Sequence, residues 1–396
     1  MPQKIAITGL GIISALGNTV ATNKKALLNS KSGVGKLQKI ESIHATAIKV
    51  GEVAFTNVEM EALLHLPQNH NYTRTALLGG MAALEAVKQA EINDISEGKT
   101  GFISATTVGG MDKTETHLKE FITNPESQKY ISSHHAGDST QKIADLLGIT
   151  GFTTTVSTAC SSAANAIMLG ARLIKAGKLD RVIVGGTDAL SKFTINGFKS
   201  LLLLSENDCK PFDANRNGLN LGEAAAYLVL ESEAAAKGKN ALAYLSGYGN
   251  ANDAHHQTAS SATGEGAFLA MKKALEIAGI APSKIDYVNA HGTATPNNDL
   301  SESVALQRIF DNKIPGFSST KPFTGHTLAA AGAVEAVFSV LALQENCMFP
   351  NLNFEAKMPE TQLKPVVKLY KKELQNVLSN SFGFGGNCSS LVFSKA

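Results

Sequence analysis

The sequence predicts an α/β protein whose sheet is covered by helices on both faces and whose two halves are built alike. Three observations carry this. Short apolar, β-branched runs alternate with Ala- and Leu-rich runs long enough for helices, the pattern of a sheet buried between helices. A segment recurs: Phe152-Thr153-Thr154-Thr155 stands eight residues before Cys160, and Phe317-Ser318-Ser319-Thr320 stands nine before His326. Upstream of each, Lys99 to Ala105 parallels Lys284 to Ala290. A period this long marks a duplicated domain rather than a solenoid. The polar break Ala234-Ala235-Ala236-Lys237-Gly238-Lys239 then divides the chain into halves 1–238 and 239–396.

Composition excludes several function classes. The 396 residues, 43% hydrophobic and 18% charged, describe a well-packed globule larger than one small core. Thirty-six Lys and Arg against 34 Asp and Glu leave a net charge of +2, so no global field draws nucleic acid or a membrane surface. The four cysteines, Cys160, Cys209, Cys347 and Cys388, lie far apart with no C-x-x-C pair. They suit neither a zinc site nor a disulfide framework and fit a reducing, cytoplasmic compartment. The chain runs from Met1 into a strand without a signal peptide's apolar stretch, and no membrane span is expected.

In order, Lys4–Thr8 reads as a buried strand, followed by Gly9-Leu10-Gly11 and Ser14-Ala15-Leu16-Gly17. A dinucleotide loop needs a third glycine and an immediate helix, and both are missing. Helices are expected over Asn23–Ser30 and Ala76–Gln89, and a strand over Gly101–Thr106. The polar span 111–140 holds one helix near Thr114–Thr123. Gly151–Val156 reads as a strand, Ala163–Lys175 as a buried helix and Arg181–Gly186 as a covered strand. Cys160 therefore falls where a strand turns into a helix. Free N–H groups and the positive end of the helix dipole lean a thiol there toward thiolate. A plain buried cysteine among small residues is the alternative.

Three stretches of the second half decide between them. Asn289-Ala290-His291-Gly292-Thr293-Ala294-Thr295-Pro296 puts a His just past an apolar strand. Ser318 to His326 puts Lys321 and His326 before a helix start. Ser379-Asn380-Ser381-Phe382-Gly383-Phe384-Gly385-Gly386 is a Gly-Phe turn that frees backbone N–H groups. Together they supply thioester chemistry: a sulfur nucleophile, two imidazoles to donate to a carbonyl, and N–H groups for an oxyanion hole. Lys321 would hold His326 in place and discourage its protonation.

At these residues the chain resembles the β-ketoacyl-acyl-carrier-protein synthases, condensing enzymes of the thiolase-like fold. The motifs are Thr158-Ala159-Cys160-Ser161-Ser162, Lys210-Pro211-Phe212-Asp213 with Gly222-Glu223, His291 to Thr295, Lys321 through His326, and Asn380 to Gly386. The resemblance covers nearly the whole chain, and the Cys-His-His set with the Lys is similar to the elongating type. It implies two duplicated halves in a layered α-β-α-β-α architecture. Cys160 would carry the acyl group, and His291 and His326 would polarise the thioester of malonyl carrier protein as CO2 leaves. Cys160 and Phe384 would supply the oxyanion hole, with Phe384 as a gate. Phe198, Phe382, Thr258, Thr293 and Thr295 would contact substrate or its pantetheine arm. Asn289, Glu335, Ser379 and Asn380 would form a cluster able to hold a monovalent cation. No cofactor is implied beyond the phosphopantetheine that the carrier protein brings. The implied partners are an acyl carrier protein and a second subunit, either a homodimer mate or a chain-length-factor homologue. A non-decarboxylating thiolase or acyltransferase, or a non-enzymatic subunit, is the competing reading.

The chain departs from the family pattern in four places. Leu202-Leu203-Leu204-Ser205 stands where an Arg-Ala-Leu-Ser run is usual, and only His65, His70 and Arg74 occupy a usually basic segment. A weaker or differently built carrier-protein site follows, with the Leu201–Leu204 patch available to a partner subunit. Asn387-Cys388 replaces Thr-Asn after Gly386, so the turn should survive but its side-chain bonds are open. Asp253 to Thr258 keeps Asp, His and Thr but alters two neighbours. These changes suit a specialised polyketide or polyene pathway as readily as fatty-acid elongation.

Overall fold

The computed structural model describes residues 5–96, 98–311 and 313–396. The first half contributes β1 (Ile5–Ile13), β2 (Thr100–Ala105), β3 (Thr153–Val156), β4 (Arg181–Asp188) and β5 (Ala224–Ser232), in the sheet order β3-β2-β4-β5-β1. The second contributes β6 (Ala243–Asn252), β7 (Tyr287–Asn289), β8 (Gly316–Ser318), β9 (Asn376–Phe382) and β10 (Asn387–Ser394), in the matching order β8-β7-β9-β10-β6. Directions match as well. β2 runs parallel to β3 and β4, β7 runs parallel to β8 and β9, and β5 and β10 run antiparallel to both neighbours. Ile5, Ala6 and Ile7 pair with Leu245, Tyr244 and Ala243, joining the halves into one ten-stranded sheet.

Side-chain alternation along the strands builds the layers. On β5, Leu228 and Leu230 face the inner core while Tyr227 and Val229 face the outer one. Helices α1 (Arg74–Gln89) and α2 (Ala136–Leu147) close that outer core. Helix α3 (Ser162–Lys175) lies on the inner face, and α4 (Lys192–Ser200) follows β4. Helices α5 (Glu265–Ala278) and α6 (Pro296–Ile309) cover the outer face of the second half, and α7 (Ala331–Glu345) lies beside α3. One core holds Ile167 of α3, Val337 of α7, Val184 of β4 and Val377 of β9 together. The layers therefore run helix, sheet, helix, sheet, helix, as the resemblance implies.

Several elements differ in extent from the sequence reading. β1 does not stop at Thr8. It continues to Ile13 with Gly9 and Gly11 inside it, because both glycines let α1 approach. A Cβ on Gly9 would lie 2.2 Å from the Ala86 carbonyl oxygen, and one on Gly11 would lie 1.9 Å from that of Ala82. The first helix is Val20–Leu28, capped by Thr19, rather than Asn23–Ser30. The helix expected near Thr114–Thr123 ends at His117, with a short 3-10 turn to Glu120. Among the described residues, Leu328–Glu345 is the one helical stretch apolar and long enough to cross a membrane, and 89% of it is buried in the central layer.

Candidate active site

β3 ends at Val156 and α3 begins at Ser162, so the strand-to-helix junction expected for Cys160 is present. Ala159 adopts φ +52, a left-handed conformation that turns the chain sharply before the cysteine. The Ser162 hydroxyl accepts the Thr158 N–H at 2.8 Å and donates to the Ala159 carbonyl at 2.5 Å, which holds the turn. Cys160 is 7% exposed, and the Phe384 backbone N–H is directed at its sulfur. The lean toward thiolate is not found. Burial pushes the thiol up to about 12. Lys321 and the Phe384 N–H oppose this, while Glu335 and Asp188 add to it. The helix dipole is a smaller effect than the loss of water. At rest the sulfur carries its proton.

His326 places Nε2 3.0 Å from the Cys160 sulfur. Its Nδ1 accepts the Leu328 N–H at 3.2 Å, which assigns the proton to Nε2. His291 accepts at Nδ1 from the Lys321 ammonium at 3.2 Å, so its Nε2 is also the protonated nitrogen. The two rings meet edge to face with centroids 5.6 Å apart. Burial, and behind it the charge of Lys321, holds both imidazoles well below the ordinary histidine range. One neutral N–H donor thus faces the sulfur, and a second, on the ring edge to face with it, lines the same cavity.

Lys321 is placed differently from the sequence expectation. It packs on His291 rather than His326, donating to the His291 carbonyl and the Glu335 carboxylate, each at 2.5 Å. His326 is held by backbone: its N–H donates to Asn220 and its carbonyl accepts from Gly222. Burial pushes the Glu335 carboxyl up to about 7, against the pull of Lys321.

The residues of the suggested cation cluster do sit close together, with Asn289 opposite Ser379 on adjacent strands. The side-chain oxygens of three of them are hydrogen-bonded: Asn289 by Thr320, Asn380 by Ser390, and Glu335 by Lys321 and Ser381. Those three are held in a hydrogen-bond network, with the Lys321 ammonium already seated on the Glu335 carboxylate.

A cavity of about 220 Å³ opens onto the sulfur. Cys160, His291, His326, Phe198, Phe382, Phe384, Thr258, Thr293 and Thr295 all line it, so every expected substrate contact is gathered there. Phe198 stacks on Phe384 across the cavity, centroids 5.9 Å apart. Lys321, Asn289, Glu335, Ser379 and Asn380 stand behind it.

One pair of residues escaped the sequence reading. Asp299 and Glu302, both buried in the first turns of α6, hold the His291 loop through its backbone. Glu302 takes the N–H groups of His291 and Gly292 at 2.9 and 2.8 Å, and Asp299 takes that of Thr293 at 2.9 Å. Their signal was two acids, three apart, the first of them three residues after the proline that starts the helix. At Asn387 the turn survives as expected: the Gly383 N–H donates to its carbonyl at 2.8 Å. Arg74 also differs from its reading as a surface charge. It turns inward to a two-point ion pair with Glu223, with contacts at 2.8 and 2.6 Å. Leu202, by contrast, is 85% exposed.

The chain is similar to known proteins along most of its length. Residues 2–236 match the family "Beta-ketoacyl synthase, N-terminal domain" and residues 242–355 the family "Beta-ketoacyl synthase, C-terminal domain". The 3-oxoacyl-[acyl-carrier-protein] synthase 2 of Staphylococcus aureus is 34% identical, over 99% of this chain and 98% of its own. Among solved structures, the ishigamide ketosynthase/chain length factor superposes with a TM-score of 0.94 at 27% identity, covering 100% of both chains. The ketosynthase ApeO in complex with its chain length factor ApeC from Xenorhabdus doucetiae gives 0.87 at 33% identity, covering 100% of this chain and 98% of that one. A Cys-His-His cavity in a duplicated five-layer fold, matched along nearly its full length, makes this chain a member of the β-ketoacyl synthase family.

Proposed function

We propose that the chain condenses an acyl group, held as a thioester on Cys160, with malonyl carrier protein to give a β-ketoacyl carrier protein. The observation that carries this is the pair of neutral imidazoles, set edge to face and both lining the cavity that opens onto the Cys160 sulfur. In the first step the Cys160 sulfur attacks the incoming acyl carbonyl. The tetrahedral oxygen is held by the N–H groups of Cys160 and Phe384, and the thiol proton leaves with the departing pantetheine sulfur. In the second, the malonyl C–C bond to the carboxylate breaks and CO2 departs. The electron pair forms an enolate whose oxygen is held by His291 and His326. That carbon attacks the acyl-Cys carbonyl, the C–S bond breaks, and the cysteine sulfur recovers a proton from water. Neutral imidazoles suit this role, because a protonated pair would have to charge in a buried site. Phe384, stacked on Phe198, acts as the gate between the steps. Thr258, Thr293, Thr295 and Phe382 hold the pantetheine arm. The chain needs no cofactor of its own.

The intact mass of the protein, incubated with acyl carrier proteins of varied chain length, tests the first step. An acyl adduct on wild type and none on Cys160→Ala is expected. No adduct from any donor, or equal adducts on both, overturns the reading. Carbon–carbon bond formation without malonyl would favour a thiolase instead.

The proposed assembly is a cytoplasmic dimer formed at the open edge of β3, where Phe152 is 43% exposed. A chain-length-factor homologue is the alternative mate, favoured by the resemblance to ketosynthases solved with one and by the exposed Leu201, Leu202 and Phe193. That mate would assign the chain to polyketide or polyene synthesis, and co-expression with a cysteine-lacking homologue would decide by co-purification.

A further inference from the structure

We propose that Asn387 is a positioning residue that fixes the spacing of the two backbone N–H groups of the oxyanion hole, those of Cys160 and Phe384. The inference rests on the condensing reading above and extends it to a side chain outside the substrate cavity. Asn387 does not line that cavity. It lies behind it, in a shallow recess shared with Thr158 and Asn165.

Its carboxamide oxygen accepts three donors: the Ser161 hydroxyl at 2.8 Å, the Asn165 amide at 2.8 Å and the Asn250 amide at 2.9 Å. Ser161 adjoins Cys160, whose N–H is one half of the oxyanion hole. Asn165 lies on α3 and reaches back to the Thr158 hydroxyl at 2.8 Å. Asn250 lies on β6, two residues before Asn252, the register partner of Asn387. Through its backbone, Asn387 accepts the Gly383 N–H and so closes the turn that carries Phe384, the other half of the hole. One residue thus ties the nucleophile loop and the Gly-Phe turn to each other and to the sheet.

The two loops it joins are in backbone contact. A Cβ on Gly383 would stand 2.7 Å from the Thr158 carbonyl and 3.2 Å from the Cys160 nitrogen, so only a glycine lets them approach this closely. Contact of that kind sets a lower limit on the spacing. The Asn387 bonds set the upper one, and the Phe384 N–H stays aimed at the sulfur. Acyl transfer should depend on this spacing. Loss of CO2 from malonyl should not, because its enolate is held by the two imidazoles.

The test is to compare Asn387→Ala, Ser161→Ala and the double variant in three measurements: the time course of Cys160 acylation by intact mass, CO2 release from malonyl carrier protein, and thermal midpoint. Asn387→Ala should slow acylation about tenfold to a hundredfold, the range expected for a donor moved by a fraction of an ångström to one ångström. CO2 release should stay within about twofold. Ser161→Ala should show a smaller loss, since it removes one of the three donors that Asn387 accepts, and the double variant should lose less than the two single losses combined. Acylation by Asn387→Ala within about twofold of wild type overturns the proposal, as does a fall of acylation and CO2 release in step. A wild type that accepts no acyl group overturns the condensing reading, and this role with it.

Discussion

Cys160 must be reactive toward a thioester and yet sits where water cannot stabilise its anion. With its thiol pushed up to about 12 by burial, the resting sulfur is neutral at physiological pH. Its alkylation by iodoacetamide should therefore rise about tenfold per pH unit from pH 7 to 9, because only the thiolate reacts. A plateau near pH 7 would show a thiolate held by His326. The imidazoles carry the opposite sign. Both are held well below the histidine range, so CO2 release should keep its rate as pH falls through the ordinary histidine value. Replacing Lys321 by Ala in a Glu335→Gln background removes the second cause of that depression without leaving a lone buried charge. The acid limb should then move upward, but not fully, because burial remains. The identities of Cys160, His291 and His326 were legible in the sequence because each stands in an unusual motif. The protonation of Cys160 was not, since a helix start can be read from residue types and the depth of burial cannot. Nor was the choice of His291 as the partner of Lys321, which depends on how β7 and β8 sit side by side.

Among the elements, β1 and α6 show how local sequence is set by a neighbour. Gly11 cannot carry a side chain beside the Ala82 carbonyl, so Gly11→Ala should cost about 3 kcal/mol in urea unfolding at an unchanged slope. An equally stable variant would mean that α1 can shift. The glycines of β1 look like a turn in isolation because glycine serves turns and close contacts alike, and only the helix against them separates the two uses. On α6, Glu302→Ala strips the acceptor from the His291 and Gly292 N–H groups. With the Asn380 amide, which also donates to Glu302, three buried donors lose their acceptor, and stability should fall by about 3 kcal/mol or more. CO2 release should fall more than Cys160 acylation, because His291 serves only the first. Similar losses in both reactions would show that the loop does not depend on Glu302 for its shape. The acids of α6 were not legible as site residues, because carboxylates in the first turn of a helix usually serve its dipole.

At the scale of the molecule, the repeat visible as two faint echoes corresponds to two five-stranded arrays of the same order and direction. The echoes were legible because equivalent strands keep their apolar character. The join at Ile5–Ile7 was not, since pairing across more than 200 residues leaves no local trace. The open edge at β3 leads to an expectation about assembly. Phe152→Asp should shift the protein from dimer to monomer in sedimentation velocity, and an unchanged sedimentation coefficient would place the mate elsewhere. Docking of the carrier protein should also respond weakly to salt, since Arg74 is paired inside and Leu202 faces out. The KM for carrier-protein thioesters should rise less than about threefold from 50 to 300 mM NaCl, where a site built on charges would lose far more.

The sheet order also governs when the chain can fold during synthesis. β1 is made first, but its main partner is β5, so Ile5–Ile13 waits until Ser232 has left the ribosome. The same holds for β6, whose partner β10 ends at Ser394. Neither half can close before its last strand appears, and at a translation rate of about 5–20 residues per second each must keep apolar strands apart for roughly ten seconds or more. A nascent chain arrested before Asn387 would hold a first half able to close and a second half missing the strand between β9 and β6. Chaperone demand should therefore peak twice during translation, just before each closing strand emerges.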